Sequence, residues 1–367
     1  MLAILAFVAL SVVGLRPAHA QIDTLAREIT DSTSPLSDSQ VEALKRYTDR
    51  YLQQLEAGAG LPQDDASAEA ARKMLQSPLI RAATTPPFRL AYSRLTIDRL
   101  RALAEGSSPT LAIQALQITG DLATDAAVSV SEGLLASPDD SIRLSAAASL
   151  RKTYEAVTLS APAVNPARLE ASLRAIGKAL ETESNLDVVR SLSEASIVAM
   201  RIDRANHESV RSMAAASLSN SLGARIRELS GAIPDEKMLV SMVTAAAALR
   251  DALAIGGRVD ANASRAAAGF AGDILTNLSK TVNRGGLSTE PADQDPARAR
   301  SVQLALLAEQ IIALSQTRLG GQSGPIDLSN RLRSGAVNDD AAFTLDVARV
   351  CERLTRPPFD HQADRFR

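Results

Sequence analysis

Residues 137–153 read SPDDSIRLSAAASLRKT, a helix start followed by an apolar stripe and a run of alanines. Ser137 can act as N-cap, and Pro138 suits a first helical position. Asp139 and Asp140 place negative charge beside the unpaired N–H groups and the positive end of the helix dipole. Ile142, Ala146, Ser149, Leu150 and Thr153 then recur at spacings of three and four, which puts them on one face. Ala146, Ala147 and Ala148 carry little bulk, so a neighbouring helix can approach closely. A face this narrow buries too little surface alone, and the helix therefore requires neighbours.

Related stretches lie downstream. SIRLSAAASL (141–150) and SVRSMAAASL (209–218) agree at seven of ten positions, 68 residues apart. NLDVVRSLSEASIVAM, beginning at Asn185, repeats the acid, the aliphatic pair and the arginine as Asp187, Val188, Val189 and Arg190. From position 142 to position 189 the step is 47 residues, a length suited to a helix-pair repeat. PDEKMLVSMVTAAAAL, from Pro234, again opens with proline and acids and closes on alanines. The two steps, 47 and 68, leave the repeat register open beyond residue 205.

SPDDSIRLSAAASL resembles the second helix of a HEAT-type repeat, in the HEAT and armadillo class of α-solenoids. In that pattern an Asp or Pro, an acid, Val-Arg, small residues and Leu follow in order. Residues 185–200 and 206–218 share the resemblance. It implies an all-α fold, an α-α superhelix of antiparallel helix pairs. It also implies that Arg143 and Arg190 bridge adjacent repeats, with Asp140 and Asp187 as their candidate partners.

Composition narrows the function classes. The 40 basic and 42 acidic residues nearly cancel, to a formal net charge of −2, and the basic set is almost all arginine. Binding of nucleic acid through phosphates calls for a basic excess or stripe, so none is expected. Aromatic residues make up 3% and tryptophan is absent, so the core is built from Ala, Leu, Ile and Val and offers no stacking platform. A single cysteine, Cys351, rules out an intrachain disulfide framework.

Five segments follow along the chain. Residues 1–20, MLAILAFVALSVVGLRPAHA, pair a short apolar run with a small-x-small end at Ala18-His19-Ala20, which reads as a signal peptide cleaved after Ala20. No later stretch is apolar for long enough to span a membrane. Residues 21–105 form a helical, non-repeat N-terminal cap. There a capping box at Ser37 and Gln40 opens a helix, TTPPF is extended, and Arg89, Arg94, Arg99 and Arg101 stay solvated. Residues 106–257 are the repeat array, with helices near 109–120, 123–136, 139–157, 166–182, 186–202, 206–229 and 235–255. Residues 258–356 continue with helices near 261–282, 295–318 and 339–354, separated by two flexible loops. Residues 357–367 read as a frayed polar tail.

Motifs that carry chemistry are missing from this sequence. His207, His361 and Cys351 show no zinc or catalytic spacing, and Cys351 sits in an apolar helical pattern, DVARVCERL, where a thiol is inert. The Gly-Gly pairs lack the strand and helix of a phosphate loop. No catalytic residue and no cofactor is therefore assigned. The reading is an exported solenoid that binds or scaffolds another protein through its concave helix face, with the binding residues unassigned. The alternatives are an enzyme of the HEAT-like lyase or glycosylase type and a purely structural envelope protein.

If the alanines of 146–148 mark a close helix contact, Ala147→Leu should overpack it. The expected loss is about 1–3 kcal/mol, read as a lowered Tm in thermal denaturation. An unchanged Tm would mean that this face is not buried in a stack.

Overall fold

The computed structural model describes residues 25–58, 65–81, 83–161, 163–321, 324 and 327–367, so the proposed signal segment lies outside the described residues. Helix starts follow local chemistry. The Ser37 hydroxyl accepts the Gln40 amide, and the Ser37 amide donates to Gln40 Oε1 at 2.9 Å, which closes the expected capping box. At the decisive stretch the cap falls two residues later than Ser137. Asp139 Oδ1 accepts the Ser141 amide at 2.7 Å and the Ile142 amide at 3.4 Å. Ser137 and Pro138 instead leave a 3-10 turn at Leu134–Ala136, and the helix begins at Asp140. Pro86 and Pro87, expected in an extended stretch, occupy a first helical turn. Amide hydrogens are unpaired in that turn in any case, so proline forfeits nothing there.

The described residues form fifteen α-helices and no strand. The N-terminal region holds α1 (Arg27–Thr30), α2 (Asp38–Ala57), α3 (Asp65–Gln76) and α4 (Pro86–Ala104). The array holds α5 (Pro109–Leu122), α6 (Asp125–Gly133), α7 (Asp140–Leu159), α8 (Pro166–Thr182), α9 (Leu186–Met200), α10 (Glu208–Leu229) and α11 (Glu236–Ala254). Then come α12 (Ala261–Asn283), α13 (Pro296–Arg318), α14 (Leu328–Arg333) and α15 (Val337–Leu354).

From α2 to α13 each helix packs beside the next but one. One layer runs α3, α5, α7, α9, α11, α13, and the other runs α2, α4, α6, α8, α10, α12, α15. Side chains show the direction within a layer. First turns meet first turns, as Asn185 Nδ2 donates to Asp140 at 2.6 Å and Lys237 Nζ to Asp187 at 2.8 Å. Arg300 of α13 likewise donates to Glu236 of α11 at 2.7 Å. Helices within a layer are thus parallel and successive helices antiparallel, which makes the chain an all-α solenoid. The cap region closes the N-terminal end by continuing both layers, α3 beside α5 and α4 beside α6.

The N-caps of α7, α9, α11 and α13 are Asp139, Asn185, Asp235 and Asp295, steps of 46, 50 and 60 residues. The matching decapeptides at 141 and 209 belong to α7 and α10, in different layers, so they are not repeat equivalents. Small residues set the distance between neighbouring helices of a layer. Ala146 and Ala147 are fully buried, and a Cβ at Gly120 of α5 would stand 2.8 Å from the Ser149 carbonyl oxygen of α7. Beside them the Ser149 hydroxyl meets those of Ser131 at 2.7 Å and Thr119 at 3.1 Å, so the buried polar groups satisfy one another.

Arginines close the opposite edge. The last carbonyls of a helix have no amide partner within it and carry partial negative charge. Arg204, just past α9, donates to Val157 O and Thr158 O at the end of α7. Arg258 donates to Met200 O at 3.3 Å and Arg201 O at 3.2 Å, at the end of α9. Arg318 reaches Leu253 O and Ile255 O at the end of α11. At the first edge Arg225 does the same for Leu180 O in the last turn of α8 and Glu183 O just after it. Arg89, expected in solvent, is buried and caps the end of α5 at Asp121 O and Leu122 O while also holding Leu79 O.

The loop after α12, expected to be flexible, is organised by a buried arginine. Arg298 donates to Ser288 O, to Leu332 O at 2.9 Å and to both carboxylate oxygens of Asp340 at 2.8 and 3.0 Å. The following loop contains α14, which the sequence pattern did not predict, and its Ser329 amide donates to the buried Glu309 at 2.6 Å. Arg298→Ala should leave Asp340 and two carbonyls without partners. A loss of about 3–5 kcal/mol in denaturant titration is expected, with Arg298→Lys recovering only part of it.

Candidate functional site

The four residues proposed to bridge repeats divide unevenly. Arg143 donates to Glu183 at 2.7 and 2.9 Å, to Asp140 at 2.6 Å and to Ser137 O at 2.8 Å, joining α7 to the turn between α8 and α9. Asp140 completes that junction through Asn185. Asp187 bridges α9 to α11 through Lys237. Arg190 does not bridge: its carboxylate neighbours are Asp187 at 3.8 Å and Glu194 at 3.9 Å, both in its own helix, and it is largely exposed. The cause is a one-residue difference in frame. Arg143 lies four residues after its N-cap and Arg190 five, a rotation of about 100° around the helix. Buried Val189 takes the position equivalent to Arg143. Arg190 instead falls in an exposed row with Leu144 and Val240, each five residues after its own N-cap.

The site that sequence reasoning missed lies at the other end. Residues 357–367, expected to fray, are docked on α10 and α12. Phe359 is buried, and Pro358 O accepts Arg265 Nε at 3.0 Å. His361 Nε2 lies 3.0 Å from Arg265 O; a carbonyl only accepts, so this nitrogen carries the proton. Arg365 donates through Nε and Nη2 to the two oxygens of Asp273, at 3.2 and 2.7 Å. Arg227 of α10 donates to the same carboxylate at 2.8 Å, and Lys280 Nζ holds Arg367 O at 2.7 Å.

Three helical glycines make room for this segment. A Cβ at Gly269 would stand 2.7 Å from the Arg365 guanidinium carbon, and one at Gly272 would stand 2.5 Å from the Phe366 ring. At Gly223 it would meet Asp273 at 2.4 Å. Glycine within a helix costs about 1 kcal/mol relative to alanine, so the run AAAGFAGDI gives up helix stability to create these seats. That run, with a lone acid on an apolar face and an Arg-Phe pair at the chain's end, was the available signal. A cavity of about 550 Å³ flanks the segment, lined by Arg227, Asp273, Asn277, Lys280, Arg365 and Arg367 among others.

Electrostatics here favour holding over chemistry. Burial pulls the Asp273 carboxyl above the usual carboxylate range, against the opposing pull of Arg365 and Arg227. Burial, reinforced by the Arg365 charge, lowers His361 to about 4 and leaves its imidazole neutral at neutral pH. Burial pushes the Cys351 thiol up to about 11, and its hydroxyl neighbour is Thr276 at 3.4 Å. His361 and Cys351 thus have different partners, Arg265 and Thr276, more than two helical turns apart on α12. Among the described residues, no group of three or more His, Cys, Asp or Glu side chains gathers as metal ligands would, and no helix is long and apolar enough to cross a membrane.

No protein-family model matches the chain, and no curated protein matches it. Among solved structures it is similar to an engineered protein at 14% identity, over 74% of this chain and 98% of that one, with a TM-score of 0.32. A second engineered protein is similar at 16% identity, over 93% and 96% of the two chains, with a TM-score of 0.27. Similarity at this level carries no argument about function.

The Arg143 junction makes stability depend on pH. The hydrogen bonds from Arg143 hold the Glu183 carboxyl below its ordinary value. A carboxylate whose folded pKa is depressed contributes stability that is complete above its unfolded pKa and lost as pH falls through the folded value. Glu183→Gln should therefore cost roughly 1–3 kcal/mol at neutral pH. Its Tm deficit against the parent should shrink as pH falls below about 4. A deficit that stays constant down to acid pH would show that the charge on Glu183 contributes nothing.

Proposed function

We propose that this chain is an exported α-solenoid that binds or scaffolds another protein through an extended helix face. One observation carries the reading: an irregular segment of polypeptide, residues 357–367, already lies seated against α10 and α12 by side-chain recognition. A surface that holds one irregular chain with a buried carboxylate, ring seats and a lysine has the chemistry to hold another. Both edges of the stack are occupied by interhelix bridges, which leaves the helix faces for partners. The exposed row at Leu144, Arg190 and Val240 supplies a second face of mixed apolar and cationic character. Export rests on residues 1–20, whose sequence reads as a cleavable signal.

The test is residue-resolved crosslinking of the chain from Gln21 onward, in extract of its exported compartment, with N-terminal sequencing of the native protein. The expected result is processing at Gln21 and one dominant protein partner whose crosslinks cluster on a single helix face. Crosslinks scattered over both edges, or capture of no protein at all, would overturn the binding reading. A native N-terminus at Met1 would overturn cleavage after Ala20.

A further inference from the structure

We propose that the trench between α10 and α12 is a peptide-binding slot for a partner chain bearing an arginine followed by an aromatic residue. In the resting protein, residues 361–367 of the chain itself hold it shut. The proposal rests on the protein-binding reading above and names the chemistry of the partner.

The shape is specific. Gly269 leaves the seat for a guanidinium, and Gly272 leaves the seat for the following ring. The floor is Asp273, whose side chain is fully buried and which accepts two hydrogen bonds from a single guanidinium. Planar guanidinium matches that carboxylate in a way that a lysine ammonium does not. The Arg365 guanidinium also lies over the Phe366 ring at 5.7 Å, so the two residues are presented as one unit. Lys280 ends the slot by donating to the main-chain oxygen of Arg367, the residue after the ring. The order read by the trench is cation, ring, main-chain oxygen.

The segment is also able to leave. When Arg365 withdraws, Asp273 keeps Arg227, so a buried carboxylate is not stranded without a partner. Gln362, Ala363 and Asp364 are exposed, and the polar cavity beside them admits water. The anchor stays behind: Phe359 is buried and Pro358 O is held by Arg265. Between anchor and latch, Asp360 has a φ of 57°, which turns the chain at the boundary. The part that seals the slot is therefore separable from the part that belongs to the core.

The experiment uses a fluorescein-labelled HQADRFR peptide, identical to residues 361–367, and fluorescence polarisation on the full chain. The emptied variant, Arg365→Ala with Phe366→Ala, should bind this peptide at least about tenfold more tightly than the parent, whose slot is occupied. A peptide with alanine at both positions should not bind, and adding Gly269→Ala to the emptied variant should abolish binding by filling the guanidinium seat. Unlabelled peptides with Arg-Tyr or Arg-Trp should compete, and Lys-Phe should compete poorly. An emptied variant that melts cooperatively yet fails to bind, or that binds the alanine peptide equally well, overturns the proposal. Should that variant not fold, hydrogen exchange on the parent decides. The amides of Arg365 and Arg367 donate to Gln362 O and Asp364 O within the latch, and excess peptide should speed their exchange. Unchanged exchange overturns the slot. Partner crosslinks confined to the row at Leu144, Arg190 and Val240, and insensitive to peptide, would sink the slot while leaving the protein-binding reading intact.

Discussion

Each helix in this stack ends in carbonyls that no amide of its own can reach, and two packed layers bring many such ends together. An arginine arriving from a neighbouring helix meets that demand with several donors on one planar group. Arg204, Arg258 and Arg318 do so at the ends of α7, α9 and α11, each from the end of the following helix of the same layer or the turn just beyond it. Arg89 and Arg225 repeat the device elsewhere, and Arg298 extends it to a loop. This dependence explains a compositional oddity. A chain of nearly balanced charge uses arginine almost to the exclusion of lysine because much of its basic complement works inside the structure. Lysine, a compact and strongly hydrated ammonium, serves poorly in such places.

The second constraint is helical phase. Helices that stack in parallel register compare positions from their N-caps, and one residue turns a side chain through about 100°. Arg143 and Arg190 look equivalent when the sequences are aligned on the Val-Arg or Ile-Arg pair. Counted from Asp139 and Asn185 they are not. The first enters the α8–α9 junction and meets Glu183, and the second faces solvent. A shift of one residue thus turns an interrepeat bridge into a surface group.

At the C-terminal end the physical logic is one of shared partners. Asp273 is buried too deeply to remain charged alone, yet it lies between Arg227 of the stack and Arg365 of the terminal segment. Two donors for one carboxylate make the second replaceable without unbalancing the first. The glycines of α12 admit the incoming side chains at a cost in helix stability, which is a reason to associate them with recognition and not with packing alone.

The sequence by itself determined the all-α class, most helix spans of the array, the close-packed alanine face and the capping box at Ser37. These depend on spacings of three and four residues and on caps a few residues long, so they are readable locally. The tertiary structure alone decided which helices share a layer, and hence that the matching decapeptides at 141 and 209 are not equivalents. It also decided that Arg190 is exposed, that Arg89 and Arg298 are buried, and that the terminal segment is docked. Those outcomes depend on partners such as Glu183, Asp340 and Asp273, tens of residues away in the chain. No local pattern encodes that distance, because the carbonyls and carboxylates that bind an arginine come together only when the layers close.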